Sequence, residues 1–159
     1  MDDLDIQLLE VLAEATRPSV LDVSRALGVA RNTAQARLRR LQDSGIVKEF
    51  GPLLDRRRLG LEVLAFVSLQ VSQGHEAPLL AGLDRLPEVL EVHKTTGAAD
   101  LLVKVVARDQ DHLHDILQLI LGLTGVIRSN SALALDSPVE RDLAAALRMG
   151  LLRDAKAAR

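Results

Sequence analysis

The side chains with the most chemistry in this 159-residue sequence lie between residues 31 and 40: Arg31, Asn32, Gln35, Arg37, Arg39 and Arg40. Guanidinium and carboxamide groups are the ones that pair with base edges and phosphates. Within the same stretch Ala34, Leu38 and Leu41 recur at spacings of four and three, which is one face of a helix. At about 100° per residue the opposite face carries Asn32, Gln35, Ala36, Arg39 and Arg40, with Arg37 nearer the apolar edge. A solvated helical hairpin shows a basic face too, so the preceding residues decide. Ser19 can cap a helix, with Asp22 in its first turn and Leu21, Val23, Ala26 and Leu27 as its buried stripe. Gly28 stands where a left-handed residue ends that helix, and Val29 plugs the turn. A second helix over Arg31–Ser44 stops at Gly45. A helix, a short turn and a basic helix form a helix-turn-helix, which implies a major groove of double-stranded DNA as partner.

The overall charge of −2 hides a distribution. Residues 16–60 carry ten Arg and Lys against four Asp and Glu, residues 1–15 five acids and no base, and residues 61–159 a net −3. Positive charge is thus local to the helix-turn-helix segment, as attraction to phosphate requires. Phe50 and Phe66 are the only Phe, Tyr or Trp residues, so the core is aliphatic and stacking on single-stranded nucleic acid is poorly supported.

Other chemistry is poorly supplied. With no cysteine there are no disulfides, thiolate metal sites or cysteine nucleophiles. His112 and His114 stand two apart on a predicted helix, about 200° from each other, and cannot readily share a metal. His93 adjoins Lys94 on a predicted strand. No paired carboxylates, nucleophile elbow or phosphate-cradling glycine motif is visible, so no catalytic residue, metal site or cofactor is expected. No apolar run reaches a membrane span and no signal peptide is visible, which predicts a cytoplasmic protein.

The elements that must position the basic helix follow from the pattern. A first helix is expected over Asp3–Ala15, with Ile6, Leu9, Leu12 and Ala13 inward. Arg17-Pro18 breaks the chain. After Gly45, IVKEFGPLL reads as a short extended segment, and DRRRLG (residues 55–60) as a hinge whose arginines either touch phosphate or are solvated. Strands are expected over Leu61–Ser72, Val89–Thr96, Leu101–Ala107 and Val126–Leu135. Helices are expected over Glu76–Leu86 and Asp109–Gly122, the latter with Leu113, Ile116, Leu117 and Ile120 inward. This β-α-β-β-α-β order is the ferredoxin-like arrangement. The first strand is apolar on both faces, Val67 and Leu69 on one, Leu64 and Phe66 on the other. Helices cover one face, so a second copy of the chain is the simplest cover for the other. Ser137-Pro138-Val139-Glu140 reads as a capping box opening a last helix with Leu143, Leu147 and Leu151, weakened by Gly150. The fold class is therefore α+β: a winged-helix-like helix-turn-helix domain (1–50), a hinge (51–60), a ferredoxin-like domain (61–136), and a C-terminal helix and tail (137–159).

With these residues in view the chain resembles the Lrp/AsnC family of transcription regulators. The resemblance covers about residues 2–136. It is carried by LDIQLLEVL, ALGVARNTAQARLRRLQDSGIV and RRRLG in the first half, and by TGAADLLVKV and LTGVIRSNSALAL in the second. It implies a sequence-specific DNA-binding regulator whose sheet domains pair into homodimers, often assembling further into octamers. It also implies a free amino acid or related metabolite bound between dimers, near Thr96, Gly97, Ala98, Ala99, Asp100 and Leu101, with Ser129 and Ser131 on the last strand. In that reading turn amides hold a carboxylate, and Asp100 either holds an ammonium or caps the turn itself; Gly97 and Asp100 equally suit a plain hairpin turn.

Two positions depart from the family pattern. Ala30 stands where the family commonly has a capping serine, and Ala99 where many members have tyrosine. The alternative function is an enzyme of sirohaem-decarboxylase type, which is similar in architecture. That chemistry needs a basic, histidine-lined pocket and does not need a basic reading helix, which this chain keeps. A third possibility is a small-ligand sensor without DNA contact, acting through a partner.

Overall fold

The computed structural model describes residues 1–14, 18–48 and 54–152. It begins with three helices, α1 (Asp3–Glu14), α2 (Val20–Leu27) and α3 (Arg31–Asp43). Each start has a local cause. At α1, the Asp2 carboxylate accepts from the Asp5 amide and the Asp5 carboxylate from the Asp2 amide, at 3.0 and 2.8 Å. At α2, Ser19 and Asp22 form the reciprocal capping box, which satisfies two otherwise orphaned amides. Gly28 ends α2 at φ +64°, and α3 then starts from Ala30 with no side-chain cap.

The core of this unit is Leu8, Leu9, Val23, Ala34 and Leu41, with Val20, Leu27, Val29 and Leu38 packed on it. Two expected core positions in α2 are instead exposed, Leu21 and Ala26. The helical period explains it: Val20, Val23, Ser24 and Leu27 recur at three and four, and Leu21 falls outside that stripe. Ser24 takes a buried place because its hydroxyl donates to the Leu21 carbonyl at 2.8 Å. Residues 46–48 and Leu54 form no strand; residues 49–53 of the expected extended segment lie outside the described residues, as does Ala15.

The sheet elements follow the expected order: β1 (Val63–Val71), α4 (Glu76–Leu83), β2 (Val89–Lys94), β3 (Leu101–Ala107), α5 (Gln110–Leu121) and β4 (Val126–Leu133). The sheet is antiparallel with spatial order β2-β3-β1-β4, as in a ferredoxin-like fold. Ala65, Val67 and Leu69 of β1 and Leu101, Val103, Val105 and Ala107 of β3 pack on Leu79 and Leu83 of α4 and Leu113, Ile116 and Ile120 of α5. Both helices thus cover one face. The other face carries Phe66, Ser68 and Gln70 of β1 opposite Lys104 and Leu102 of β3 and Arg128, Asn130 and Ala132 of β4.

Residues 55–60, read as a hinge, make a helical turn in which the Asp55 carbonyl accepts from Leu59. Arg57 and Arg58 are exposed, and Arg56 is half-buried. The Arg56 guanidinium donates to the carbonyls of Leu61 and Glu62, Arg57 pairs with Asp136 at 3.3 Å, and Arg58 with Asp55 at 3.6 Å.

A last helix, α6 (Leu143–Arg148), does not start at the predicted Ser137 box. Asp136 takes the Ser137 amide that Glu140 would need, at 2.8 Å, and Asp142 caps the helix instead by accepting from Ala145. Gly150, at φ +93°, lies just past its end. The chain divides into two compact units, Leu54–Ser137 and a second made of Met1–Leu53 with Pro138–Arg159. Leu147 and Leu152 therefore pack against the helix-turn-helix core rather than trailing from the sheet unit.

Candidate DNA-reading helix and effector turn

The α3 helix separates its polar residues into two groups. Arg31, Asn32 and Arg39 are exposed, while Gln35, expected outward, is half-buried. No carboxylate sits on α3 before its last residue, Asp43. Arg37 lies at the core edge as its phase requires, 25 % exposed, and donates from Nη1 to Asp2 at 2.7 Å and Asp5 at 2.9 Å. Arg40, expected on the outward face, is exposed, and its Nη2 also reaches back to α1, lying 2.6 Å from both oxygens of the fully buried Asp5. A carboxylate without water needs such partners.

These contacts set the carboxyl equilibria. The Arg37 guanidinium, helped by the Asp5 amide, holds the Asp2 carboxyl at about 2. Burial pushes the Asp5 carboxyl up, but the Asp2 amide and the two guanidiniums outweigh it and hold it below the ordinary value. Sequence reasoning missed Asp5. Its signal was the spacing: Asp5, Leu8, Leu9 and Leu12 lie on one helix face.

In the sheet unit the turn between β2 and β3 is closed by its own groups. Thr95 Oγ1 donates to the Ala99 carbonyl at 2.8 Å, and Gln70 donates to the Ala98 carbonyl at 2.7 Å. Gly97 takes φ +122°, a conformation only glycine adopts freely. Asp100, a candidate ammonium partner or turn cap, accepts the amide of Val71 at the end of β1 at 2.7 Å. Ala98 and Ala99 line a hollow of about 200 Å³ together with Ser68, Gln70, Arg128, Ser129 and Asn130. Thr95, Asp100 and Leu101 line a second, larger hollow on the other side, with Lys94 paired to Glu76 at its edge. Ser131 does not join either: it pairs with Val67, and shares the helix-covered side of the sheet. Arg128 is the residue that sequence reasoning overlooked there, and among the described residues no ion pair is recorded for it.

Two of the histidines are engaged locally. His93 lies 2.9 Å from Glu91, which Lys104 also contacts, and His112 lies 3.4 Å from Glu88. The Lys104 ammonium, then His93, hold the Glu91 carboxyl below its ordinary value. Among the described residues no three His, Cys, Asp or Glu gather as metal ligands, and no helix is long and apolar enough to cross a membrane.

A helix-turn-helix with an acid-free basic face on its second helix, joined to a ferredoxin-like sheet, is the architecture of a DNA-binding regulator. Residues 1–42 match the AsnC-type helix-turn-helix domain, and residues 64–144 the Lrp/AsnC ligand binding domain. The chain belongs to the Lrp/AsnC family of transcription regulators. It is 29 % identical to the HTH-type transcriptional regulator FL11 of Pyrococcus horikoshii, over 88 % of this chain and 93 % of that protein. To the HTH-type transcriptional regulator Rv2324 of Mycobacterium tuberculosis it is 31 % identical, over 89 % and 96 %. Among solved structures it is similar to the transcriptional regulator NMB0573 of Neisseria meningitidis in complex with L-Met, with a TM-score of 0.82 and 26 % identity over 91 % of this chain and 95 % of that one. These relatives are regulators, not enzymes.

Proposed function

We propose that this regulator reads duplex DNA in a sequence-specific way through α3, as a homodimer, and responds to an amino acid or related metabolite bound beside the Thr96–Asp100 turn between subunits. The observation that carries the reading is the exposed face of α3, where Arg31, Asn32 and Arg39 meet solvent with no acid among them. Arg39 and Asn32 are the base-edge readers; Arg31 and Arg40 suit phosphates. The half-exposed Phe66, on the sheet face that no helix covers, supports pairing of two copies there, and a dimer presents two reading helices to a two-fold site.

For the effector, the hollow beside Ala98 and Ala99 supplies small walls and, in Arg128, a cation for a carboxylate. The L-Met bound by the Neisseria relative is of that chemical class. A ligand there alters regulation only by favouring one assembly over another. The test is binding of the full chain to the DNA upstream of its own gene, with and without pooled amino acids, with sizing in parallel. Tight binding that weakens steeply with salt and shifts with one amino acid is the expected result. Binding indifferent to salt overturns the DNA reading, and indifference to every amino acid overturns the effector reading.

A further inference from the structure

The four arginines of α3 are not equivalent. Arg31 and Arg39 make no ion pair recorded among the described residues, whereas Arg37 and Arg40 converge on Asp5, whose side chain is 0 % exposed. Arg37 is largely covered. Arg40 is not: every hydrogen bond recorded for its side chain leaves from Nη2, and the side chain stays 59 % exposed. Among the described residues its Nε and Nη1 meet no acceptor, and a further one can be taken there.

A buried carboxylate under a helix that meets a polyanion works against affinity, because it subtracts positive potential where phosphates approach. It is also a weak source of stability, since an apolar replacement of both partners commonly does as well. What it supplies is orientation. An arginine held at one edge has its fork fixed in direction and loses less freedom on forming the next hydrogen bond. A phosphate contact made this way carries no sequence information itself but fixes the register from which neighbouring side chains read bases.

We propose that Asp5 is a positioning residue for DNA reading: it fixes Arg40 as a phosphate clamp beside the face that carries Arg39, with Arg37 as the covered strut between α1 and α3. The proposal rests on α3 being the reading helix. It makes a distinctive claim about specificity. Asp5 weakens general attraction to DNA, by neutralising cations, and strengthens register-dependent attraction, by orienting one of them.

The experiment uses the full chain and two duplexes, one enriched from a random pool by the unmodified protein and one scrambled. If the unmodified protein does not prefer the enriched duplex, the reading helix itself is wrong, before any variant is made. Given that preference, Asp5→Asn removes the charge and keeps the shape. The expected result is a fall of about tenfold in the ratio of enriched to scrambled affinity, with scrambled binding unchanged or tighter. A uniform gain on both duplexes, with the ratio intact, is what mere loss of a negative charge gives, and overturns the proposal. Asp5→Asn puts the fold at risk, so helix content and melting are measured first. Arg40→Lys asks the same question from the exposed end: it keeps the charge, so the salt dependence holds, but it loses the oriented fork. The ratio is expected to fall again; an unchanged ratio overturns the proposal.

Discussion

The Asp100 carboxylate accepts the Val71 amide at 2.7 Å, while the Asp100 amide donates to the Leu69 carbonyl at 2.9 Å. One residue of the β2–β3 turn is thus sewn to the last residues of β1 by both its side chain and its backbone. An aspartate so engaged is part of the frame of the turn.

Replacing Asp100 by alanine therefore removes an acceptor and leaves the Val71 amide to water, at a cost of about 1 kcal/mol. Amide exchange at Val71 is expected to accelerate, and Ala98 and Ala99 to lose their fixed place beside Arg128. Effector response falls with it, and basal DNA binding is retained. Unchanged exchange at Val71 would show that the bond contributes nothing in solution.

Acid should loosen the helix-turn-helix unit in a defined window. The Asp2 carboxyl is held at about 2, against an ordinary value of 3.8, and the Asp5 carboxyl is lowered as well. A depressed carboxyl contributes stability that is present above its unfolded value and lost as pH falls through the folded one. Stability of this unit is thus expected to decline from about pH 4 toward about pH 2. Asp2→Asn flattens that limb in an acid titration followed by helical circular dichroism; an identical limb in the variant would remove Asp2 from the account.

What was legible in the sequence is what local pattern controls. The Ser19 cap, the Gly28 break and all of β3 fell where residue types and spacing put them. So did the inward face of α5, because Leu113, Ile116 and Ile120 obey a helical period. What failed depended on partners distant in the chain. Nothing near Arg40 announces that Asp5, 35 residues earlier, waits under it. Arg128 was passed over because its place beside Gln70 comes from β4 lying beside β1. The Ser137 box was locally sound and lost to Asp136, which took the Ser137 amide.

Ala30 leaves the start of α3 without a side-chain cap although its backbone, at φ −61° and ψ 145°, already has cap geometry. Ala30→Ser supplies the missing acceptor for an orphan amide of the first turn. A gain of about 1 kcal/mol in the stability of the reading unit is expected, seen as a higher thermal midpoint. DNA specificity should be retained, because the backbone need not move. A lower midpoint would mean that the open end of α3 is already satisfied in another way.

The C-terminal helix makes the strongest prediction about architecture. Only its first two residues fall within the matched ligand binding domain, which ends at 144, and its packing is within its own unit, on the helix-turn-helix core. Leu147 packs on the core that holds Leu8, Leu9 and Leu41, and the Arg148 guanidinium donates to the Ala13 carbonyl near the end of α1, where carbonyls lack intrahelical partners. A helix whose partner is α1 supports the platform that α3 rests on. Leu147→Ala is expected to destabilise the helix-turn-helix unit by about 1–2 kcal/mol, less than a fully buried leucine because Leu147 is only half-buried. Hydrogen exchange localises the effect: amides of α1 and α3 lose protection while those of β1 and β3 keep theirs. Loss confined to the sheet would instead place α6 with the ligand binding domain, and make its packing on α1 incidental.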